Sequence, residues 1–395
     1  MDIKDKLHKL SGGEKKNHGE DDGTEERNKY SREEEPGRHH IERKKYGPSH
    51  LHGRCRLEEL PGKLYDSSSF LMNREEGLDR EKLLFLDTET TGLAGGTGTC
   101  VFLVGLGYFR GEEFILEQHL MRDFEEELSL LESVRDHLQE RPLPVTFNGK
   151  TFDIPHLKSR FVLQRLSFPE LKYHVDLLHP CRRMWKHLSS CSLNNLEREI
   201  LSFSREKDID GSEVPRYFRA YLQNKNSQLL EPILRHNRHD IISLVFLSLH
   251  LDRVVRPDCC YDHSAREYFN LGRQLEEADR RVQSIECYER ALAETESSRF
   301  RTEIERKLSW QYKREDNYEK AVNIWQQMKD EGRGGLFPYI ELAKFYEHVQ
   351  KNCSRALNIC EKARVYLRRK RAIISNWKDK REGLDHRIDR LQDRV

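Results

Sequence analysis

In LLFLDTETTGL an apolar run ends in Asp87-Thr88-Glu89. On a strand the first and third residues point to the same face, so two carboxylates converge at a strand end. Two such groups resist joint ionisation unless a cation neutralises them. Hard oxygen ligands at this density suit Mg²⁺ or Mn²⁺ better than zinc. Alone, such a pair recurs by chance, and a solvated strand end reads the same way. A third acid, Asp153, stands in TFNGKTFDIPHL in the first turn of a helix entered through Asn148 and Gly149. An isolated acid there would simply complement the helix dipole. Lys150, in the same turn, is placed either to approach a phosphate or to be solvated. The fourth acid is Asp240 in ILRHNRHDIISLVFL, where His236 precedes it by four residues and stacks on the same helical face. His239 cannot share that face, so His236 is the partner. Polar groups on so apolar a helix require a partner or a metal, because burying them unpaired is costly.

The elements that must hold these residues begin at Lys82. KLLFLDTET, CVFLVGLGYF and EFILEQHLM predict three strands, and FEEELSLLESVRDHLQE predicts a helix from its apolar spacing. PLPVTFN is a short strand, FDIPHLKSRFVLQRL a helix and YHVDLLH another strand, with further helices to about Val255. Hairpins first and βα units later predict a mixed sheet flanked by helices, an α/β domain over 56–255. Residues 1–55 mix both charges with few apolar side chains and are expected to form a disordered arm. Its neighbouring His39 and His40 read as a solvated pair.

After a linker at 256–260 the strand signals stop. SIECYERALAE, AVNIWQQMKDE and ALNICEKARVY resemble one another at a spacing close to the 34-residue tetratricopeptide period. Ala278, Ala291, Ala321, Ala343, Ala356 and Ala363 are the small residues that tightly packed helix pairs require. The expectation for 261–395 is an all-α, tetratricopeptide-like repeat domain, with an ordinary helical bundle as the competing reading. Trp377, Leu384, Ile388 and Leu391 form one stripe on a terminal capping helix.

Composition sets limits. Lys plus Arg number 69 against 68 Asp plus Glu, a net charge of +1, so any pull on nucleic acid must be local. No run approaches the roughly 18 apolar residues of a membrane span, and MDIKDKLHKLSGG lacks an apolar signal core. A cytoplasmic location is the expectation. Nine cysteines without a CxxC pair suggest neither a zinc nor a disulfide framework.

The ordered set DTETTGL, NGKTFDIPHL and HNRHDIISL resembles the three exonuclease motifs of the DEDD superfamily, which has a ribonuclease H-like fold. The likeness is closest to the YprB-like predicted exonucleases. It includes LAGGTGTCVFLVGLGYF and the helical repeats, and covers roughly residues 60 to 370. The resemblance implies four metal-binding acids at Asp87, Glu89, Asp153 and Asp240 and two divalent metal ions, Mg²⁺ or Mn²⁺. It also implies 3′-to-5′ hydrolysis of RNA or DNA. His236 occupies the place where the family has a tyrosine, and Arg235 the place where another branch has a histidine. His236, with an ordinary pKa of about 6.5, can then accept a proton from the attacking water once neutral. Asp176 in YHVDLLHP resembles a further family acid that either orients the site or makes a structural hydrogen bond.

Gly92 to Gly98 lacks the GKS or GKT ending of a triphosphate loop. Arg182, Arg183 and Lys186 read as a solvated helix flank, and Trp185 as core. Two rival readings stand beside the exonuclease. One is a non-catalytic nucleic-acid-binding scaffold whose repeats recruit a protein partner, and the other is a structure-specific endonuclease.

Overall fold

The computed structural model describes residues 37–64, 77–92, 98–254, 263–372 and 375–395. Residues 1–36 of the expected arm, most of the glycine-rich segment and the 256–260 linker lie outside the described residues. The arm does not extend to residue 55. Strand β1 (His40–Tyr46) pairs antiparallel with a later strand from His40↔Leu120 to Tyr46↔Phe114. Long-range backbone pairing supplies what the composition of this segment cannot. Its Arg and Lys residues suit an edge strand, where charge discourages further pairing. His39 is buried, not solvated, and contacts Ser129 and His119.

Two short ribbons follow: β2 (Leu51–His52) with β3 (Cys55–Arg56), and β4 (Lys63–Leu64) with β5 (Leu78–Asp79). The main sheet then takes β6 (Leu83–Thr90), β7 (Val101–Arg110), β8 (Glu113–Leu120), β9 (Leu143–Thr146) and β10 (Val175–Asp176). Its order is β1-β8-β7-β6-β9-β10. The β1/β8, β8/β7 and β7/β6 pairs are antiparallel, whereas β6/β9 and β9/β10 are parallel. The mixed sheet expected from the strand pattern is therefore present.

Helices cover both faces. They are α1 (Glu127–Glu140), α2 (Asp153–Leu163), α3 (Leu178–Trp185), α4 (Leu193–Leu196), α5 (Val214–Asn224) and the long α6 (Glu231–Val254). Leu84 and Leu86 point into a core shared with α1, α2 and α5, while Phe85 points into the core shared with α3 and most of α6. Period-two alternation then sends Asp87 and Glu89 to the α6 side. From Ile241 onward α6 is apolar almost all round, as a buried helix must be. Each fully buried Leu, Ile, Val or Phe there contributes roughly 1.5–3 kcal/mol, which fixes the polar N-terminal half of α6 over the sheet.

The C-terminal region is all helical. It comprises α7 (Ala265–Glu277), α8 (Arg281–Glu294), α9 (Ser298–Arg314), α10 (Tyr318–Asp330), α11 (Phe337–Lys344), α12 (Cys353–Arg369) and α13 (Trp377–Gln392), each packed on the next. The three similar segments fall on α8, α10 and α12. Ala291, Ala321, Ala343, Ala356 and Ala363 are fully buried, whereas Ala278 caps α7 at the surface. Leu384, Ile388 and Leu391 of α13 are buried in the same core. Trp185 on α3 donates from Nε1 to Glu267 Oε1 on α7 at 2.8 Å, and Asn270 Nδ2 donates to the Met184 carbonyl at 2.9 Å. Leu271 and Leu275 of α7 join the α6-side core, so the helical region is packed onto the sheet domain.

Candidate active site

The parallel neighbour β9 pairs with β6 only over Leu83–Phe85. The acidic end of β6 therefore runs past the end of β9, where open α/β sheets place their ligands. There the chain turns through Asn148, whose φ is +67°, and Gly149, where a Cβ would lie 2.4 Å from Thr146 Oγ1. Asp176 holds this turn. Its carboxylate accepts from the backbone N–H of Asn148 at 2.8 Å and of Lys150 at 3.0 Å. These are structural hydrogen bonds, made to the turn that leads into Asp153. Lys150 itself is exposed.

Asp153 is buried at the start of α2, and its Oδ1 accepts from Thr88 N at 3.0 Å and Thr88 Oγ1 at 2.6 Å. Asp87 is held from the other side. Its Oδ2 accepts from Asn237 Nδ2 at 2.8 Å, and Asn237 Oδ1 accepts from Gln118 Nε2 at 2.9 Å. Register explains the chain of contacts, because Asp87 pairs with Gly105 and Gly105 with Gln118 in one row across the sheet. A Cβ on Gly105 would sit 2.3 Å from Asn237 Oδ1. The missing side chain is what lets α6 approach the sheet at this row.

Asp240 lies on α6 with His236 one turn before it. Arg205 Nη2 pairs with Asp240 Oδ1, while its Nε bonds Glu197 Oε2 at 2.6 Å and its Nη1 bonds Asp208 Oδ2 at 2.9 Å. His236 Nδ1 lies 2.9 Å from the same Asp208 oxygen, and His236 Nε2 lies 3.6 Å from Asp240 Oδ2. One ligand atom from each of Glu89, His236 and Asp240 lies within 4.8 Å of the others. His239 is elsewhere, with its ring 5.5 Å from that of Phe203. Arg235 turns away and donates to the Lys207 carbonyl at 3.0 Å.

The electrostatics record crowding of negative charge. Burial, then the charges of Asp240, Asp153 and Glu89, push the Asp87 carboxyl well above its ordinary value. Glu89 is raised to about 8, by burial first and by Asp240 and Asp153 next, against the pull of His236 and Arg205. Burial raises Asp153 to about 6 despite its Thr88 bonds. His236 moves the opposite way from what burial alone would do, to about 9, because Asp208, Asp240 and Glu89 stabilise its imidazolium. Asp208 is correspondingly held at about 2 by His236 and Arg205, against its own burial.

The structure thus brings Asp87, Glu89, Asp153, Asp240 and His236 to one place. Sequence reasoning did not find Asn237, Gln118, Gly105, Arg205, Asp208 or Glu197. The only sequence signal for Asn237 was a polar residue between His236 and Asp240. Arg205 and Asp208 lie in SFSREKDIDGSE, a stretch without periodicity. Asp87 Oδ1 and Asp153 Oδ2 take no part in the bonds just described, and Asp240 Oδ2 has only His236 Nε2 at 3.6 Å beside it. Buried, mutually repelling carboxylates of this kind fit divalent cations.

Among known proteins, the RNase_H superfamily profile RNase_H_2 matches residues 84–251. "Uncharacterized protein YprB" of Bacillus subtilis (strain 168) is 31% identical over 330 residues, spanning 80% of this chain and 78% of that protein. The family B DNA polymerase of the hyperthermophilic archaeon Pyrobaculum calidifontis superposes with a TM-score of 0.35 at 14% identity, covering 52% of this chain and 30% of the polymerase. Among the described residues, no helix is long and apolar enough to cross a membrane.

Proposed function

The chain belongs to the YprB family and carries an RNase H-superfamily domain, and from this premise we propose that it is a divalent-metal-dependent nuclease of DEDD type. Its reaction is 3′-to-5′ hydrolysis of single-stranded RNA or DNA, the direction resting on the resemblance of the three motifs. The observation that carries the reading is the convergence of Asp87, Glu89, Asp153 and Asp240, where burial and then mutual charge raise the Asp87 and Glu89 carboxyls. A fold alone would not carry it.

Two Mg²⁺ or Mn²⁺ ions held by these four carboxylates would supply the positive charge that polarises the phosphodiester and activates water. The protein's own residues do the rest. Asn237 and Thr88 each fix one oxygen of Asp87 and Asp153 and so hold the two carboxylates in place. Asp208 accepts from His236 Nδ1 and thereby directs Nε2 toward Glu89 and Asp240, where it accepts the proton of the attacking water. Asp208, Asp240 and Glu89 all favour the imidazolium, so neutralising Asp240 and Glu89 makes His236 a more available base while Asp208 keeps it oriented. Arg205 anchors Asp240 to Glu197 and so fixes the C-terminal acid. The helical region is read as tetratricopeptide-like repeats that recruit a protein partner.

The test is purified protein with Mg²⁺ or Mn²⁺ on end-labelled single-stranded RNA and DNA, beside Asp87→Asn and Asp240→Asn. Metal-dependent release of mononucleotides from the 3′ end, lost in both variants, is expected. Internal fragments would mean an endonuclease. No metal-dependent cleavage of any substrate would overturn the enzymatic reading.

One observation favours a second reading, a nucleic-acid-binding scaffold: Arg205 and His236 already offer cations to Asp240. A scaffold would bind nucleic acid equally in EDTA and after Asp87→Asn.

A further inference from the structure

We propose that Glu117, His119 and His137 form a second metal site, of zinc-binding class, on the face of the sheet opposite Asp87 and Glu89. Gln118 of β8 points toward Asn237 on α6, so its neighbours Glu117 and His119 point to the α1 side. His137 comes down from α1 to meet them. One ligand atom from each of the three lies within 4.8 Å of the others.

The spacing within this set matches a metal polyhedron. His137 Nε2 is 3.2 Å and His119 Nε2 is 3.5 Å from the same oxygen, Glu117 Oε2. With zinc–ligand distances of about 2.0–2.1 Å, the edge of a tetrahedron is about 3.3–3.4 Å. The 3.5 Å approach is longer than the roughly 2.7–2.9 Å of a charge-assisted hydrogen bond. His119 Nε2 is buried without a hydrogen-bond partner.

An outer shell is also built. Glu117 Oε1 takes donors from Arg43 Nε at 2.8 Å and Tyr108 Oη at 2.7 Å, which leaves Oε2 to the histidine pair. His119 Nδ1 lies 2.9 Å from His39 Nε2, and His39 Nδ1 lies 2.9 Å from Ser129 Oγ. Ligating histidines characteristically hydrogen-bond through their second ring nitrogen, as His119 does here, whereas Nδ1 of His137 is buried without a hydrogen-bond partner. Arg43 opposes a cation, but its side chain is largely exposed and its charge correspondingly screened.

Protonation suits Glu117 and His119 as ligands. Burial, then the neighbouring His119 and Arg122 charges, lowers His39 to about 3, and burial lowers His119 as well. Burial raises Glu117, but its contacts with His119, His137 and Tyr108 outweigh that and hold it below the usual carboxylate range. A neutral imidazole beside an ionised carboxylate can ligate without releasing a proton. Two imidazoles and one carboxylate select zinc over Mg²⁺, and His137 is the one partly exposed member of the set. Bound there, zinc joins β8 to α1 directly and to the segment leading into β1 through His39.

The experiment uses the full chain carrying Asp87→Asn and Asp240→Asn, which disables the acidic site. After EDTA treatment and dialysis against zinc, elemental analysis should return about one equivalent. Co²⁺ loading should give the visible absorption of a tetrahedral ion. Adding His137→Gln should abolish both with the circular dichroism spectrum unchanged, and adding His39→Ala should weaken zinc binding about 10- to 100-fold. Absence of retained zinc in the Asp87→Asn, Asp240→Asn protein would overturn the proposal, as would zinc stoichiometry unaffected by His137→Gln.

Discussion

Glu89→Gln in metal-free protein isolates the cost of the crowded acids. Glu89 has an ordinary value of 4.5 and is raised to about 8 in the fold, first by burial and then by Asp240 and Asp153. Between those two pH values the folded chain holds more protons at this position than the unfolded chain. Stability therefore falls as pH rises through the window and is fully present only below about 4.5. At pH 7 the unfolded carboxyl is ionised and the folded one mostly protonated. The roughly 2.5 pH units above 4.5, at about 1.4 kcal/mol each, amount to about 3 kcal/mol. Glutamine keeps the shape of the protonated acid and removes this cost. At about 2–4 °C per kcal/mol for a domain of this size, the variant should melt roughly 6–12 °C above wild type in EDTA at pH 7. The gain should be larger at pH 8 and should vanish toward pH 4.5. Calorimetric melts of both proteins across that range measure the difference, which cancels titrations common to the two. Added Mn²⁺ should reverse the order, stabilising wild type most at high pH and the variant little. A difference that does not change with pH, or a variant less stable than wild type at pH 8, would refute the electrostatic account of the site.

Asp208→Asn should lower kcat at pH 7 by about 10- to 100-fold with metal binding retained. It removes the hydrogen bond that raises His236, so the acidic limb of the pH–rate profile should move to lower pH, and an unmoved limb would remove His236 from the role of base. Gly105→Ala drives a methyl into Asn237 and should cost about 1–3 kcal/mol in urea unfolding together with most of the activity. Arg205→Leu strands Glu197, which is fully buried, and should destabilise by about 3–5 kcal/mol. A loss under about 1 kcal/mol in denaturant melts would show that Glu197 finds other partners.

What the sequence disclosed was governed by local periodicity. Alternation in LLFLDTET put Asp87 and Glu89 on one face, and helical spacing put His236 beside Asp240 in preference to His239. The Asn148-Gly149 turn delivered Asp153 to a helix start. The hidden part depends on register and on contacts distant in the chain. Gly105 and Gln118 matter because two antiparallel pairings align them with Asp87, and no local pattern in β7 or β8 reveals that row. Arg205 and Asp208 sit in an aperiodic loop, so their charges read as solvated. His39 and the strand at His40–Tyr46 were hidden by their polar neighbours, since an edge strand requires only one partner and little apolar surface. The helical region was legible from its recurring alanines, of which all but Ala278 are buried.

That edge strand has a practical consequence. β8 is long and lies one place from the end of the sheet, its outer side covered, among the described residues, by His40–Tyr46. A chain shortened to begin at residue 56, where the charged composition suggests a boundary, would retain all four acids and still lose this cover. The bared backbone of β8 would then present a template for other chains, and the truncated protein would aggregate before its chemistry could be assayed.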